Sequence, residues 1–322
     1  MKKLLHTKKV PTFDIINCGP RRRFSANGKL IHNSGKINLQ NLSRGSELRA
    51  AIGVPYGMKL IAGDLSQIEA RMVACLAGQE DLVQAFADGE DVYCLFASDV
   101  YGHAVDKSME QERFVGKQGI LQLGYAAGHM RFQLAMSQFG IIMDEYEAKR
   151  IVTLYRKTYS EIPKLWKEAD KWIKHMISGD IDKPYTYGPL TIYREYGLER
   201  APAILLPNGM PMYYPELIID VNNDRHYKSR DGWKKIYGGA MIENVCQALA
   251  RIVVVGAELT LHEYNIITCN QIHDEIHVVA PVQYADKYKK IMELALTKRI
   301  EWMPNLPLAC EVGIGDNYKE AH

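Results

Sequence analysis

The stretch LIAGDLSQIEARMVACL, residues 60–76, changes its apolar period part-way along. Its opening letters, LIA, form a short apolar run that predicts the end of a buried strand. From Ser66 onward the apolar residues recur every four positions, as they do on one face of a helix. Asp64 therefore lies at a predicted strand-to-helix junction, where a carboxylate can project from a rigid sheet into a cleft.

The start of this helix also has a simpler interpretation. Ser66 and Glu69 fit a capping box, in which a hydroxyl and a carboxylate satisfy backbone N–H groups of the first turn. An Asp before a helix is also more often a cap than a metal ligand. A metal site at Asp64 therefore requires a second carboxylate from elsewhere in the chain.

The second acidic stretch is IITCNQIHDEIHVV, residues 266–279. Alternating apolar residues on both sides of HDE predict a tight hairpin, with Asp274 and Glu275 together at its tip. Two acids at a hairpin tip are usually solvated turn residues. The hairpin pattern by itself therefore leaves the role of Asp274 open.

A third pattern, ERFVGKQGILQLGYAAG at residues 112–128, has the period of a helix. Four of its residues recur at intervals of four: Arg113, Lys117, Leu121 and Tyr125. A helix places them in one slowly turning line, with ~6 Å between neighbours. Such a line can follow a nucleotide from its triphosphate to its base, although an amphipathic helix with solvated basic residues has the same period.

Two glycines, Gly116 and Gly119, interrupt this third pattern. Each costs a helix about 1 kcal/mol relative to Ala, so their presence predicts that another group comes close to the helix. The sequence contains no GxxxxGK[ST] loop, and phosphate binding by a loop of that type is not expected.

Length and composition set wide limits on the function. The chain has 322 residues, enough for a large core and two lobes. Its net charge of +2 neither requires nor excludes a nucleic-acid ligand. Six cysteines without CxxC spacing favour a reducing compartment, and the N-terminus lacks a signal-peptide core. No apolar run approaches the ~20 residues of a membrane span, so we expect no membrane partner.

These patterns together resemble a known family. DLSQIEAR at residues 64–71 and IHDE at 272–275 resemble motifs A and C of family A DNA polymerases, and residues 112–128 resemble their motif B. The resemblance runs from about residue 13 to the end of the chain. It implies an α/β (α+β) fold, namely a right-hand polymerase palm with an antiparallel sheet plus helical fingers, without thumb or exonuclease domains in this chain.

The resemblance also divides the chain into four segments. They are an N-terminal stub at 1–12, a first palm segment with motif A at 13–74, fingers with motif B and a small β insertion at 75–238, and a second palm segment with motif C at 239–322. The local patterns agree with this division. They predict a helix, a turn and a helix at 85–102, helices with a proline interruption at 133–178, strands and turns at 184–238, and a long helix at 241–264.

Each matched residue receives an implied role. The metal ligands are Asp64, Asp274 and the carbonyl of Leu65, for two Mg²⁺ ions that Mn²⁺ can replace, and Arg113 and Lys117 complete the catalytic set. The nucleotide-binding residues are Glu69, Arg113, Lys117, Leu121 and Tyr125. The DNA-binding residues are Arg23, Gln40, Asn41, Gln247, Arg251 and His273, and the supporting residues are Gln67 and Glu275. Several positions depart from the family, among them Leu121 where Phe or Tyr is common and Tyr93 where His is common.

The implied function is template-directed DNA synthesis, which adds dNTPs to a primer 3′-hydroxyl by two-metal-ion phosphoryl transfer. The helix that carries motif B would close on a correctly paired nucleotide. The implied partners are primer–template DNA, dNTPs and a separate polypeptide that supplies a thumb and an exonuclease and docks near residues 1–17. The implied location is the cytoplasm of a bacterium or of a phage-infected host.

Four other functions share some of these sequence features. A single-subunit RNA polymerase shares the two aspartates, but Glu69 within SQIEAR favours the DNA enzyme. A zinc deaminase needs a PCxxC pair downstream of the H-x-E at 273–275, and only Cys310 follows it. A Rossmann enzyme needs a glycine-rich fingerprint that the sequence lacks. A non-catalytic DNA-binding subunit of a split polymerase stays open until primer extension is measured.

Overall fold

The computed structural model describes the backbone of residues 23–26 and 29–32 and the whole chain from 47 to 321. Several sequence-based predictions lie outside these residues. They are the N-terminal stub, the DNA contacts proposed for Gln40 and Asn41, and the side chain of Arg23. The backbone of Arg23 begins a two-stranded antiparallel hairpin.

The described residues contain thirteen strands and ten α-helices. The strands are β1 Arg23–Ala26, β2 Lys29–His32, β3 Met58–Leu65, β4 Tyr185–Tyr187, β5 Leu190–Tyr196, β6 Ala201–Leu205, β7 Pro211–Tyr213, β8 Ile218–Ile219, β9 Arg225–Ser229, β10 Gly232–Lys235, β11 Thr268–Ile272, β12 Glu275–Pro281 and β13 Cys310–Gly315. The helices are α1 Glu47–Ala50, α2 Ile68–Ala77, α3 Glu80–Ala87, α4 Val92–Tyr101, α5 Glu110–Leu123, α6 His129–Gln138, α7 Glu145–Thr158, α8 Glu161–Ser178, α9 Gly238–Glu263 and α10 Ala285–Leu296.

These elements form two compact units. Among the described residues, unit 1 takes those within 1–65, 254–297 and 310–322, and unit 2 takes 66–253 and 298–309. The chain passes from unit 1 to unit 2 inside the first predicted motif, between Leu65 and Ser66.

Unit 1 is built on a four-stranded antiparallel sheet with the order β11–β12–β3–β13. Helix α10 packs on one face, where Gly63 allows its close approach, because a Cβ there would lie 2.4 Å from the sulfur of Met292. The other face carries the small apolar cluster of Leu60, Ala62, Ile272, Tyr318 and Ala321. Since side chains alternate along a strand, Asp64 lies on this second face, beyond Leu60 and Ala62.

Unit 2 is mainly helical, and helices α4 and α5 pack closely against each other in it. A Cβ on Gly116 would lie 2.1 Å from the carbonyl oxygen of Tyr93, and one on Gly119 would lie 2.3 Å from the ring of Phe96. The sequence-based expectation of a close approach at these glycines is therefore confirmed. The approaching group is helix α4, so both glycines have a structural reason to be present.

The segment 184–238 of unit 2 contains strands, as the sequence predicts. It contains one four-stranded antiparallel sheet, β4–β5–β6–β7, and one three-stranded antiparallel sheet, β10–β9–β8. Arg225 of β9 fastens the smaller sheet to helix α8 through an ion pair with Asp170 of 2.6 Å.

The helices at 133–178 are confirmed, but their proline interruption is wrong. Helix α7 ends at Thr158 and α8 begins at Glu161, so Pro163 lies in the first turn of α8. A proline is tolerated there because the N–H groups of the first turn have no intrahelical acceptor.

The long helix predicted near the C-terminus is confirmed as α9. By length and composition α9 is also a candidate membrane span, which the search for apolar runs missed, and half of its most apolar stretch is buried inside the structure. The core helix of a protein that stays in water passes the same test.

Candidate functional site

The acidic strands of unit 1 bring the two predicted aspartates together. In the antiparallel register, Glu275 of β12 and Glu311 of β13 lie directly opposite Asp64 of β3, one on each side. Residues directly opposite each other share a face of the sheet. The backbone N–H of Leu65 donates to the carbonyl of Asp274 at 3.2 Å, which fastens the hairpin tip to the end of β3.

The tip of the hairpin contains two residues, His273 and Asp274. Strand β11 ends at Ile272 and β12 begins at Glu275, so the prediction of both acids at the tip is wrong for Glu275. His273 is exposed and has a φ of 52°, an uncommon left-handed conformation for a residue other than glycine. Gln271 supports this turn by donating from Nε2 to the carbonyl of His273 at 2.9 Å.

Glu275 points into the core of unit 1, where both of its carboxylate oxygens accept hydrogen bonds. His277 Nε2 lies 2.6 Å from Oε1, and the Tyr318 hydroxyl donates to Oε2 at 2.9 Å. Asn270 Nδ2 lies 3.0 Å from His277 Nδ1, so an amide donor there leaves the imidazole proton on Nε2, facing Glu275. Burial raises the pKa of Tyr318, so its hydroxyl keeps its proton and donates. Glu275 therefore supports the sheet around Asp64 from inside the core.

The sequence reading missed three members of this network: Asn270, His277 and Tyr318. One signal was available, because His277 is a polar residue between the apolar residues Ile276 and Val278 of β12. No local pattern connects Tyr318 with Glu275, since 43 residues separate them along the chain.

The predicted ligands fit an oxygen-seeking cation that the substrate helps to hold. Asp64 and Asp274 are both partly exposed, and burial raises the pKa of Asp274 above its usual value. Within the described ranges, no three His, Cys, Asp or Glu side chains converge as a closed metal cage would require. Mg²⁺ is usually bound by one or two carboxylates together with waters and substrate phosphates. Two carboxylates and a carbonyl match that donor set.

Helix α5 carries the predicted cations of unit 2. Nε and a terminal nitrogen of Arg113 lie 2.9 and 2.8 Å from Asp91 Oδ2. Arg113, Lys117 and Leu121 are all partly exposed and recur every four residues along α5. Three of the four residues in the predicted line therefore share one side of the helix.

Tyr125 does not belong to that line. Helix α5 ends at Leu123, where Trp166 Nε1 donates to the carbonyl of Gly124 at 2.8 Å and Ala126 takes a positive φ of 63°. The Tyr125 hydroxyl instead donates to Glu69 Oε2 at 3.3 Å. Burial raises the pKa of Tyr125 well above its usual value, so this donor keeps its proton.

The capping box predicted at Ser66 and Glu69 is wrong. Helix α2 begins at Ile68, and Gln67 before it adopts the left-handed conformation without a side-chain cap. Arg71 holds this turn, because its Nε donates to the carbonyl of Ser66 at 2.7 Å and its Nη2 donates to Gln67 Oε1 at 3.2 Å. The sequence reading missed Arg71, which is only 5% exposed.

The remaining predicted DNA contacts lie on exposed surface. Gln247 and Arg251 are exposed one turn apart on α9, and His273 is exposed at the hairpin tip. These positions leave their side chains available for a ligand.

The fold is that of a polymerase domain. The POL domain of Pol1 from M. smegmatis, solved in complex with DNA primer-template and dNTP, aligns with a TM-score of 0.63 at 20% identity, over 88% of this chain and 45% of that chain. The expected fold class, a mixed helical and antiparallel-sheet polymerase region, is thereby confirmed. Residues 12–180, more than half of the sequence, match the model of DNA polymerase family A. The chain belongs to this family.

Two relatives give the same classification. The DNA polymerase of Bacillus phage SP02 is 26% identical over 287 residues, which cover 85% of this chain and 43% of the relative. The thermostable DNA polymerase I of Thermus thermophilus is 25% identical over 304 residues, covering 92% of this chain and 31% of the relative. The chain therefore spans less than half the length of these relatives.

Proposed function

We propose that this chain catalyses template-directed DNA synthesis, in which dNTPs are added to the 3′-hydroxyl of a primer. The observation that carries this proposal is the approach of Asp274, at the hairpin tip, to Asp64, at the end of β3, in a chain of DNA polymerase family A. The relatives' names, and the substrates named with the Pol1 structure, support DNA and dNTPs as partners.

Asp64 and Asp274 are the proposed ligands of two Mg²⁺ ions, with the carbonyl of Leu65 as a further ligand. When bound, such ions activate the attacking hydroxyl and stabilise the leaving pyrophosphate, and Mn²⁺ can replace them. Glu275 is assigned a supporting role instead, since both of its oxygens already accept hydrogen bonds in the core, from His277 and Tyr318.

The side chains of α5 are proposed to bind the incoming nucleotide. Arg113 and Lys117 balance the charge of the triphosphate, an effect that grows as water is excluded. Leu121 and Tyr125 contact the sugar and base, and Glu69, held by the Tyr125 hydroxyl, lies against the sugar where a ribonucleotide has its 2′-hydroxyl. The contact of α4 with Gly116 and Gly119 supports a movement in which both helices close together.

The proposed DNA contacts are Arg23, Gln40, Asn41, Gln247, Arg251 and His273, and Gln67 supports the turn before α2. A separate polypeptide that supplies a thumb or an exonuclease, and a location in the bacterial or phage-infected cytoplasm, stay predictions. Sizing the native protein in its source extract tests the first of them.

Primer extension with Mg²⁺ tests the proposal. Asp64→Asn and Asp274→Asn should each lower the extension rate by ~10³-fold or more, because each removes several kcal/mol of transition-state stabilisation. Affinity for primer–template should change little, since phosphate contacts elsewhere supply most of it. Asp286→Asn, at an exposed position in the first turn of α10, is the matched control. Near-parental extension by either variant would refute the proposal.

A further inference from the structure

Asp91 uses its two carboxylate oxygens for separate tasks. Oδ1 accepts hydrogen bonds from the backbone N–H groups of Tyr93 and Cys94 at 3.1 and 3.2 Å and so caps helix α4. Oδ2 accepts two hydrogen bonds from the guanidinium of Arg113, at 2.9 and 2.8 Å. One side chain therefore fastens the start of α4 to the first turns of α5.

The contact between Asp91 and Arg113 shifts the pKa of both groups. Burial alone would raise the pKa of Asp91, but the hydrogen bonds from Arg113 and from the α4 backbone hold it below its usual value. The pKa of Arg113 is raised, because the bond to Asp91 outweighs the cost of burial. Both side chains are largely covered, at 17% and 29% exposure, so water screens this pair less than an open surface pair.

Tyr93 supports the same guanidinium from a second direction. The Arg113 guanidinium carbon lies 5.3 Å from the centroid of the Tyr93 ring, within the range of a cation–π contact. The Tyr93 hydroxyl is hydrogen-bonded to the Gln67 side chain, and burial raises the pKa of Tyr93 to about 12. Tyr93 is only 6% exposed, so its ring acts as a platform and its hydroxyl is engaged inside the unit.

A guanidinium held in this way keeps donors for a ligand. It has five N–H donors in a rigid fork, and Asp91 occupies the edge formed by Nε and one terminal nitrogen. A long, unsupported Arg loses rotamer freedom when it binds, and a pre-organised one avoids most of that loss. Because the packing of α4 on Gly116 and Gly119 keeps α4 beside α5, the support stays in place if α5 moves.

We propose that Asp91 and Tyr93 are positioning residues that hold Arg113 in the conformation which receives the triphosphate of the incoming nucleotide. This inference rests on the proposed function, because it assigns Arg113 to the triphosphate. It predicts the direction in which Asp91 changes the affinity for the nucleotide. Asp91 raises nucleotide affinity, whereas a carboxylate that competed with the triphosphate for Arg113 would lower it.

Asp91→Asn separates this role from helix capping. Asn is an equally good N-cap residue, so α4 keeps its cap while Arg113 loses its charged partner. We expect the KM for dNTP to rise by about tenfold with kcat changed less than about twofold, the pattern for lost ground-state binding. Nucleotide titration on a dideoxy-terminated primer–template should show the same fall in affinity without turnover.

The chain offers a matched control in Asp144→Asn. Asp144 caps α7 by accepting from the N–H of Glu147 at 2.7 Å. This variant should leave the KM unchanged. Tyr93→Leu, which removes the ring, should raise the KM in the direction of Asp91→Asn, and Tyr93→Phe, which keeps the ring, should raise it less.

The KM of the Asp91→Asn variant and the activity of the parent chain test separate claims. An unchanged or lowered KM in a folded Asp91→Asn variant overturns the inference. If that variant does not fold, Asp91→Ser, which also keeps a capping oxygen, decides in the same way. A parent chain that extends no primer contradicts the proposed function, whereas an active parent with unaffected variants contradicts only the role of Asp91 and Tyr93.

Discussion

The acidic strands of unit 1 and the cationic helix of unit 2 place their side chains by different physical means. Asp64 and Glu275 lie opposite each other because two strands that are distant in sequence pair in one register. Arg113 and Lys117 share a side because both lie on one helix at a spacing of four residues. A register error would move every acid to the wrong face, whereas a change in α5 alters one position at a time.

The two regions also differ in how their charged groups are supported. Glu275 is held by a buried network that reaches Tyr318 near the C-terminus. Arg113 is held by one carboxylate and one ring within unit 2. We therefore expect substitutions in the first region to affect stability and activity together, and substitutions in the second to give graded, selective effects.

The largest effect is expected from His277→Leu. This change leaves the buried carboxyl group of Glu275 without one of its hydrogen-bond partners, so it should lower the free energy of unfolding by about 2–4 kcal/mol. Chemical denaturation measures the loss, and His277→Gln, which keeps a donor, should lose less. The double variant His277→Leu with Glu275→Leu should regain some of the stability. Equal stability of parent and His277→Leu would show that the network does not support the strands.

The second-largest effect is on the discrimination between ribonucleotides and deoxynucleotides, and it is expected from substitutions in unit 2. Glu69→Ala should raise ribonucleotide incorporation relative to deoxynucleotide incorporation by ~10–100-fold, the usual range for one contacting group. Tyr125→Phe, which removes the 3.3 Å hydrogen bond to Glu69, should act in the same direction but less strongly. Competition between the two nucleotide types measures the ratio. Glu90→Ala, at an exposed position, is the control. A ratio equal to that of the parent would exclude Glu69 from the sugar site.

The third effect is smaller and concerns Leu121. A branched aliphatic side chain offers less flat contact than Phe or Tyr and has no hydroxyl to replace a missing 3′-hydroxyl. We expect slow insertion and poor use of dideoxynucleotides, with Leu121→Tyr raising the relative use of dideoxynucleotides by ~2–10-fold, the value of one net hydrogen bond. Insertion kinetics with paired dNTP and ddNTP substrates give this ratio, and identical ratios would remove the argument.

The smallest effect is the dependence of unit 2 on pH. The pKa of Asp91 is lower in the folded chain than its ordinary value, so the pair with Arg113 contributes its stability above that ordinary value. The contribution is lost as the pH falls through the folded pKa, below about pH 4. The Tm difference between parent and Asp91→Asn should therefore shrink between pH 7 and pH 3. A difference that stays constant would mean that Asp91 does not titrate with Arg113.

The sequence predicted well what depends on local periodicity. The strand before Asp64, the helix that carries Arg113 and the hairpin around Asp274 all follow from apolar spacing. The predicted place of Tyr125 in the line along α5 is wrong, because the helix ends at Leu123. There Trp166, from another helix, donates a hydrogen bond to the next carbonyl. The pairing of Asp64 with Asp274 needed the family resemblance, because no period connects residues so far apart.

The missed residues share a physical cause. Arg71 and His277 are buried polar groups that each have a partner from another segment, the Pro307 carbonyl and the Asn270 amide, and a pattern of apolar positions does not reveal a hydrogen-bond partner. The capping box failed for a related reason. The turn at Ser66 is held by Arg71 and by a bond from the Ser66 N–H to the carbonyl of Ala309, so the helix starts without a side-chain cap.

Divalent-cation binding tests the central claim, that Asp64 and Asp274 form one metal site, most directly. Mn²⁺ titrations followed by electron paramagnetic resonance, with dideoxy-terminated primer–template and dNTP present, report binding without turnover. The account predicts that Asp64→Asn and Asp274→Asn each weaken Mn²⁺ binding by at least about tenfold, since each removes one of two carboxylate ligands, while Asp286→Asn binds like the parent. Parental Mn²⁺ affinity in either variant at Asp64 or Asp274 would contradict the account.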